Sequence, residues 1–183
     1  MYRLFVAIDL PAEVKEAVTG IGRNLPGARW VAADQLHLTL RFIGAADETL
    51  FLQIKAALAK VTALPFPLAL KGIGHFPPGK NARVLWVGME QIEPLLELQR
   101  NVELALLDAG IAPEERRFSP HITIARLKET SHGRVAAFVE AHAGFESAAF
   151  PVDVFYLYSS TLSSSGAIHK REAAYPLSGG EVS

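Results

Sequence analysis

The chain has no cysteine among its 183 residues, which excludes a disulfide framework, thiolate zinc sites and a cysteine nucleophile together. It also lacks an excess of charge of either sign: 18 Lys and Arg stand against 19 Asp and Glu, a formal net charge of -1. No global field is therefore available to hold long nucleic acid, and an anionic ligand must be met locally. No apolar run reaches the length of a membrane span. The apolar opening from Met1 to Leu10 is broken by Arg3 and Asp9, is followed by Pro11, and shows no small-residue cleavage site. It is expected to be a buried strand of a cytoplasmic protein. With 50% hydrophobic and 20% charged residues, disorder and fibrous repeats are excluded, and the length suits one domain or two small lobes.

What is present is an alternation of strands and helices. Leu4 to Ile8 reads as a strand, and Pro11 opens a helix carrying Val14, Val18, Ile21 and Leu25 at helical spacing. Gln35 to Phe42 alternates as a strand does, and Asp47, Leu50, Ile54, Leu58 and Val61 then give a helix with an acidic first turn. Strands follow at Phe66 to Ile73 and Arg83 to Gly88, with a long turn from Gly74 to Asn81 between them. A helix from Pro94 to about Gly110, a strand from Pro120 to Ala125, a helix over Arg134 to His142 and a strand from Phe150 to Tyr158 come next. The turn Ser163-Ser164-Ser165-Gly166 leads to a last strand, Ile168 to Tyr175, and a frayed tail is expected from Gly179. His37 and His121 stand 84 positions apart, as do Phe66-Pro67 and Phe150-Pro151, and the helices align at the same offset. The chain is therefore expected to be a single domain, 1–183, built from two repeats of about 1–80 and 81–178.

The repeat carries its chemistry in two tetrads, His37-Leu38-Thr39-Leu40 and His121-Ile122-Thr123-Ile124. Strict period-two alternation would put His37, Thr39 and Arg41 on one strand face and Leu36, Leu38, Leu40 and Phe42 on the core face. The second copy would place His121, Thr123 and Ala125 together, with Ile122 and Ile124 behind. With 7 threonines in the chain, two such His-x-Thr pairs arise in roughly 2% of shuffled sequences, so coincidence is a poor account. Core histidines bonded to threonines are one alternative reading. A metal site is another, although two histidines without an acidic partner at ligand spacing are too few ligands. Two histidines across a cleft, with ordinary pKa values of about 6.5, can instead serve as base and acid while two hydroxyls donate to phosphate oxygens. That set suits phosphodiester cleavage without metal or cofactor, and it suits acyl transfer poorly.

At these residues the sequence resembles the two-histidine (2H) phosphoesterase superfamily, most closely the RNA 2',3'-cyclic phosphodiesterases once named 2'-5' RNA ligases. Arg3 to Pro11, Trp30-Val31, Leu36 to Gly44, Val84 to Gly88 and Phe118 to Arg126 carry the likeness over most of the chain. The resemblance implies an α+β, bilobal, duplicated fold, with two mainly antiparallel sheets lining a central cleft and helices packed outside. It implies hydrolysis of a 2',3'-cyclic phosphate to a 2'-phosphomonoester, with His37 as proton donor and His121 as the water-activating base. Thr39, Thr123 and Arg126 would hold the phosphate; Arg41, which parity alone puts toward the cleft at a position where the family varies, is read as a secondary phosphate or backbone contact. Alternation from His121 sends Arg126 to the wrong face unless the strand bulges or ends.

The expected partner is RNA with a 2',3'-cyclic phosphate end or a small cyclic nucleotide, with no membrane and no obligate protein partner. Trp30 and Phe118 are candidate platforms for a terminal base, weighed against a core role. Lys71, Lys80 and Arg83 are candidate RNA-backbone contacts, weighed against a solvated loop. His75, His132 and His142 read as structural or surface residues. His169 stands in the last strand where the family often has an aromatic residue. Reverse 2'-5' ligation, a noncatalytic RNA-end binding module, and a phosphodiesterase for a non-RNA cyclic phosphate or 2'-5' oligoadenylate are the other functions weighed. Both intact tetrads favour catalysis over the binding module.

Overall fold

The computed structural model describes residues 1–164 and 166–178. The expected tail from Gly179, and Ser165 of the last turn, lie outside the described residues. The fold is α+β. Its elements run β1 (Tyr2–Asp9), α1 (Ala12–Thr19), β2 (Ala28–Trp30), a single 3-10 turn (Ala33–Gln35), β3 (His37–Ala46), α2 (Glu48–Leu58), β4 (Phe66–Leu68) and β5 (Leu70–Phe76). They continue with β6 (Val84–Met89), α3 (Glu93–Asp108), β7 (Ile122–Leu127), α4 (His132–Ala141), β8 (Phe150–Val152), β9 (Val154–Ser163) and β10 (Gly166–Pro176).

Two four-stranded sheets result, in the orders β10-β9-β1-β3 and β2-β7-β6-β5, and β4 pairs with β8 in a small third sheet. Every pairing is antiparallel. Each large sheet takes two strands from each half of the sequence: β9 and β10 join β1 and β3, and β2 and β5 join β6 and β7. The small sheet pairs Pro67 with Pro151 at its centre, flanked by Phe66 with Val152 and Leu68 with Phe150. Two segments related by the 84-residue offset thus pair with one another.

Local physics accounts for the boundaries. The expected first helix stops at Thr19, because Gly20 follows and Gly22 takes φ 101, while Ile21 and Leu25 still reach the core from the loop. Asp47 caps α2 by accepting from the Leu50 amide at 2.8 Å, and Ser131, 84 residues on, caps α4 by accepting from that of Arg134 at 3.3 Å. The strands expected at Phe66 to Ile73 and Phe150 to Tyr158 each break in two, at Ala69 and Asp153. β5 runs into the expected turn as far as Phe76, because His75 and Phe76 pair with Leu85 and Val84. β2, which the sequence reading did not contain, adds an edge to β7. On β1 the even positions Leu4, Val6 and Ile8 enter the main core, and α3 presents fully buried Leu95, Leu98, Val102 and Leu106. Phe5 and Ala7 face the opposite way and join Tyr158 in a separate small cluster. That second face of the sheet carries the candidate site.

Candidate active site

In an antiparallel pair, residues directly opposite each other point to the same face, so register assigns every side chain near the motifs. Asp9 lies opposite His37 and Ala7 opposite Thr39, which puts both motif residues on the Phe5 face. The register then slips by one, so that Val6 lies opposite Arg41 and Leu40 is the extra residue of a bulge. The slip inverts the phase of Arg41 and Phe42, and a second slip at Ile43 restores it from Gly44 onward. Arg41 turns to the core side, buried, and donates through Nε to Glu103 of α3 at 2.5 Å, to the Phe42 carbonyl at 2.6 Å and to the Ala112 carbonyl. Phe42 turns outward instead, opposite Phe5, and is 68% exposed. Alternation had placed these two residues the other way round, and the bulge corrects both; Arg41 is committed to α3 and the adjoining carbonyls.

β7 repeats the device. Trp86 lies opposite Thr123 and Leu85 opposite Ala125, so Ile124 is the extra residue, 84 positions after Leu40. Ala125, expected beside His121, is fully buried on the core side. Arg126 emerges exposed on the Thr123 face. The bulge on which its approach depended is present, one residue earlier than anticipated. Phe42 and Arg126 therefore occupy corresponding positions, one aromatic and one basic. The outward turn of Phe42 left no trace in its surroundings in sequence; only the 84-residue correspondence with Arg126 could have shown it.

His37 is buried, with ring centroids 4.5 Å from Tyr158, 5.3 Å from His169 and 6.0 Å from Phe5. Burial pulls its pKa from 6.5 down to about 4, with Asp9, 3.9 Å from Nε2, opposing the shift. Asp9 also accepts from Lys15 at 3.0 Å and from Arg171, whose guanidinium lies 4.1 Å over the Tyr156 ring. The Asp9 carboxyl is held below its usual range by the Lys15 and Leu10 hydrogen bonds, against the burial that would raise it. Burial pushes the Tyr158 phenol up to about 12 and lowers His169, whose Nδ1 is buried without a partner.

His121 immediately precedes β7, half-buried, its ring edge-on to Phe76 at 5.0 Å. Its Nδ1 lies 2.7 Å from the Ser119 carbonyl, which can only accept, so Nδ1 holds the proton and the neutral ring presents a bare Nε2. The two motif strands, β3 and β7, lie against each other. Thr39 and Thr123 are half-buried, and neither side-chain hydroxyl has a hydrogen-bond partner among the described residues. Two proton-transfer groups and two uncommitted donors on adjoining strands can serve an anion.

The remaining candidates fall elsewhere. Trp30 lies opposite buried Ala125 and packs its ring on Phe138 of α4 at 5.7 Å, and Phe118 packs on the core. Lys71 reaches Glu90 at 3.7 Å, while Lys80 and Arg83 are exposed. His75 meets the Pro77 carbonyl at 2.9 Å, His132 opens α4 exposed, and His142 packs on Phe138 at 4.5 Å. Among the described residues no three His, Asp or Glu side chains gather as a metal site, and no helix is long and apolar enough to cross a membrane.

Comparison with known proteins gives this arrangement a lineage. A family model described as the 2'-5' RNA ligase superfamily matches residues 8–163. The RNA 2',3'-cyclic phosphodiesterase of Thermotoga maritima is 36% identical over 92% of this chain and 91% of its own. That of Archaeoglobus fulgidus is 32% identical over 92% and 96%. Among solved structures, E. coli LigT complexed with 3'-AMP superposes with a TM-score of 0.77 at 28% identity, over 96% of this chain and 98% of that one. TT0787 of Thermus thermophilus gives 0.78 at 29%, over 98% and 100%. Paired tetrads, matched bulges and these relatives lead to one assignment: the chain belongs to the 2'-5' RNA ligase superfamily, among the two-histidine phosphoesterases.

Proposed function

We propose that the chain hydrolyses the terminal 2',3'-cyclic phosphate of RNA to a 2'-phosphomonoester, using His37 and His121 as an acid and base pair. That it is an enzyme of the RNA 2',3'-cyclic phosphodiesterase kind rests on its family and on relatives carrying that name at 30 to 37% identity. The observation that carries the mechanism is the pair of His-x-Thr segments on adjoining strands, each with a hydroxyl that no group among the described residues engages.

His121 Nε2 takes a proton from water as the water oxygen bonds to phosphorus. The bond from phosphorus to O3' breaks, and His37 gives the departing O3' its proton. The tautomer fixed by Ser119 suits His121 to the base role. His37, with a pKa of about 4, is neutral in the free protein near pH 7. An anionic phosphate beside it, together with Asp9, favours the imidazolium and so supplies the acid as substrate binds. Thr39 and Thr123 donate to the non-bridging oxygens, Arg126 adds positive charge, and Arg41 holds the bulge from behind. No step calls on a metal or cofactor. With a 5'-hydroxyl in place of water as the nucleophile, the same breakage of the bond from phosphorus to O3' would leave a 2'-5' linkage, which is ligation.

The test is incubation of an RNA oligonucleotide ending in a 2',3'-cyclic phosphate, in EDTA, with the product read by phosphorus NMR. A 2'-phosphate is expected at an undiminished rate. A 3'-phosphate would reverse the choice of leaving oxygen, and dependence on added metal would refute the metal-independent mechanism.

A further inference from the structure

Beside Arg126, which the proposed hydrolysis uses, one wall of the site carries a second arginine that it does not. On the β2-β7-β6-β5 sheet, Arg29 of β2 lies directly opposite Arg126 of β7, and both are exposed. Like charges directly opposed across an antiparallel pair destabilise it. Arg41, Arg100, Arg116 and Arg171, by contrast, each reach a carboxylate. Arg29 and Arg126 have neither an ion-pair nor a hydrogen-bond partner among the described residues. The pair shares the Thr123 face, and Arg29 stands one strand farther out, about 4.8 Å away across the ladder. The position corresponding to Arg126 on the other sheet is Phe42, beside Phe5. One wall thus offers rings and the other an outward line of positive charge.

Resting on the functional reading above, we propose that Arg29, one strand out from Arg126, extends the site as a second phosphate subsite. It takes the phosphodiester next to the cyclic end, so that the preferred substrate is an RNA oligomer rather than a nucleoside 2',3'-cyclic monophosphate. A single-stranded backbone phosphate between the guanidiniums relieves their repulsion, and its capture releases counterions. The net charge of -1 is compatible with this, because the attraction is confined to one rim.

The experiment is kcat/KM for a five-nucleotide RNA ending in a 2',3'-cyclic phosphate, divided by that for the matching nucleoside 2',3'-cyclic monophosphate, from about 50 to 200 mM KCl. The ratio cancels the contribution of the cyclic phosphate itself. It is expected to exceed one and to fall with salt with a log-log slope of about -0.7, the value for one phosphate contact on a single strand. In Arg29→Gln the ratio at low salt drops on the order of threefold to fivefold and becomes nearly independent of salt. Arg29→Lys, which keeps the charge, restores the slope. A ratio near one in the unaltered protein, with both substrates turned over, overturns the proposal and leaves the functional reading standing. So does an unchanged slope in Arg29→Gln accompanied by self-association, which would make Arg29 a guard of an open sheet edge. Absence of turnover with either substrate overturns the functional reading and this one with it.

Discussion

His37 is where burial and reactivity meet. Its ring is enclosed by Tyr158, His169 and Phe5, and the cost of charging it there sets the depressed pKa. Folding therefore takes a group that binds a proton below about pH 6.5 and holds it neutral down to about pH 4. Between those values the unfolded chain binds more protons than the folded one, so stability is full above pH 6.5 and drains as the pH falls toward 4. His37 alone is expected to contribute a loss of about 3 kcal/mol over that window. Urea denaturation across the window checks this, with His37→Asn as the comparison. The variant's stability should vary less with pH than that of the unaltered chain; equal slopes would mean that His37 titrates normally.

β3 and β7, the elements nearest the site, each bulge just after the motif threonine, at Leu40 and Ile124, and β3 slips once more at Ile43. Alternation in Gln35 to Phe42 and Pro120 to Ala125 was enough to identify both strands and to bring His and Thr together. It was not enough to see the slips at Leu40 and Ile124, because each bulged residue is apolar and sits between residues that fit either phase. A pattern of side chains records which face is wet; it does not record where hydrogen bonding skips a residue. Arg41, Phe42 and Ala125 were misplaced for that reason, while Arg126 was reached by naming the bulge as a condition. Helix starts were only roughly legible: Asp47 was read into the helix it caps, and the helix read from Arg134 begins at His132, behind the Ser131 cap. β2 was not legible, because three residues are too few to show a period. On β5, Gly74 lets the Trp86 ring lie across it: a Cβ there would stand 2.3 Å from ring carbon Cζ2. Gly74→Ala should cost about 1 to 3 kcal/mol through the displaced indole, which lies opposite Thr123. Thermal unfolding of that variant decides it, and an unaltered melting curve would show that the ring moves aside freely.

At the scale of the molecule, the offset of 84 residues organises what single elements leave disconnected. It relates the two tetrads, the two bulges, the two caps and the two strands that pair through Pro67 and Pro151. The mixing of strands from both halves in each large sheet was illegible, since sequence order says nothing of which sheet receives a strand. Symmetry of frame with asymmetry of contents is what the chemistry requires. One histidine is buried among rings beside a carboxylate, and the other is half-exposed on a carbonyl, so equivalent positions differ in the way the proposed acid and base roles call for. The central claim is that these two imidazoles act as a unit. Its most direct test is kcat on a cyclic-phosphate RNA for His37→Ala, His121→Ala and the double variant, each shown folded by its circular dichroism. Each single change is expected to lower kcat roughly 10²-fold or more, and the double to lose little beyond the worse single. Full activity in either single variant would contradict it.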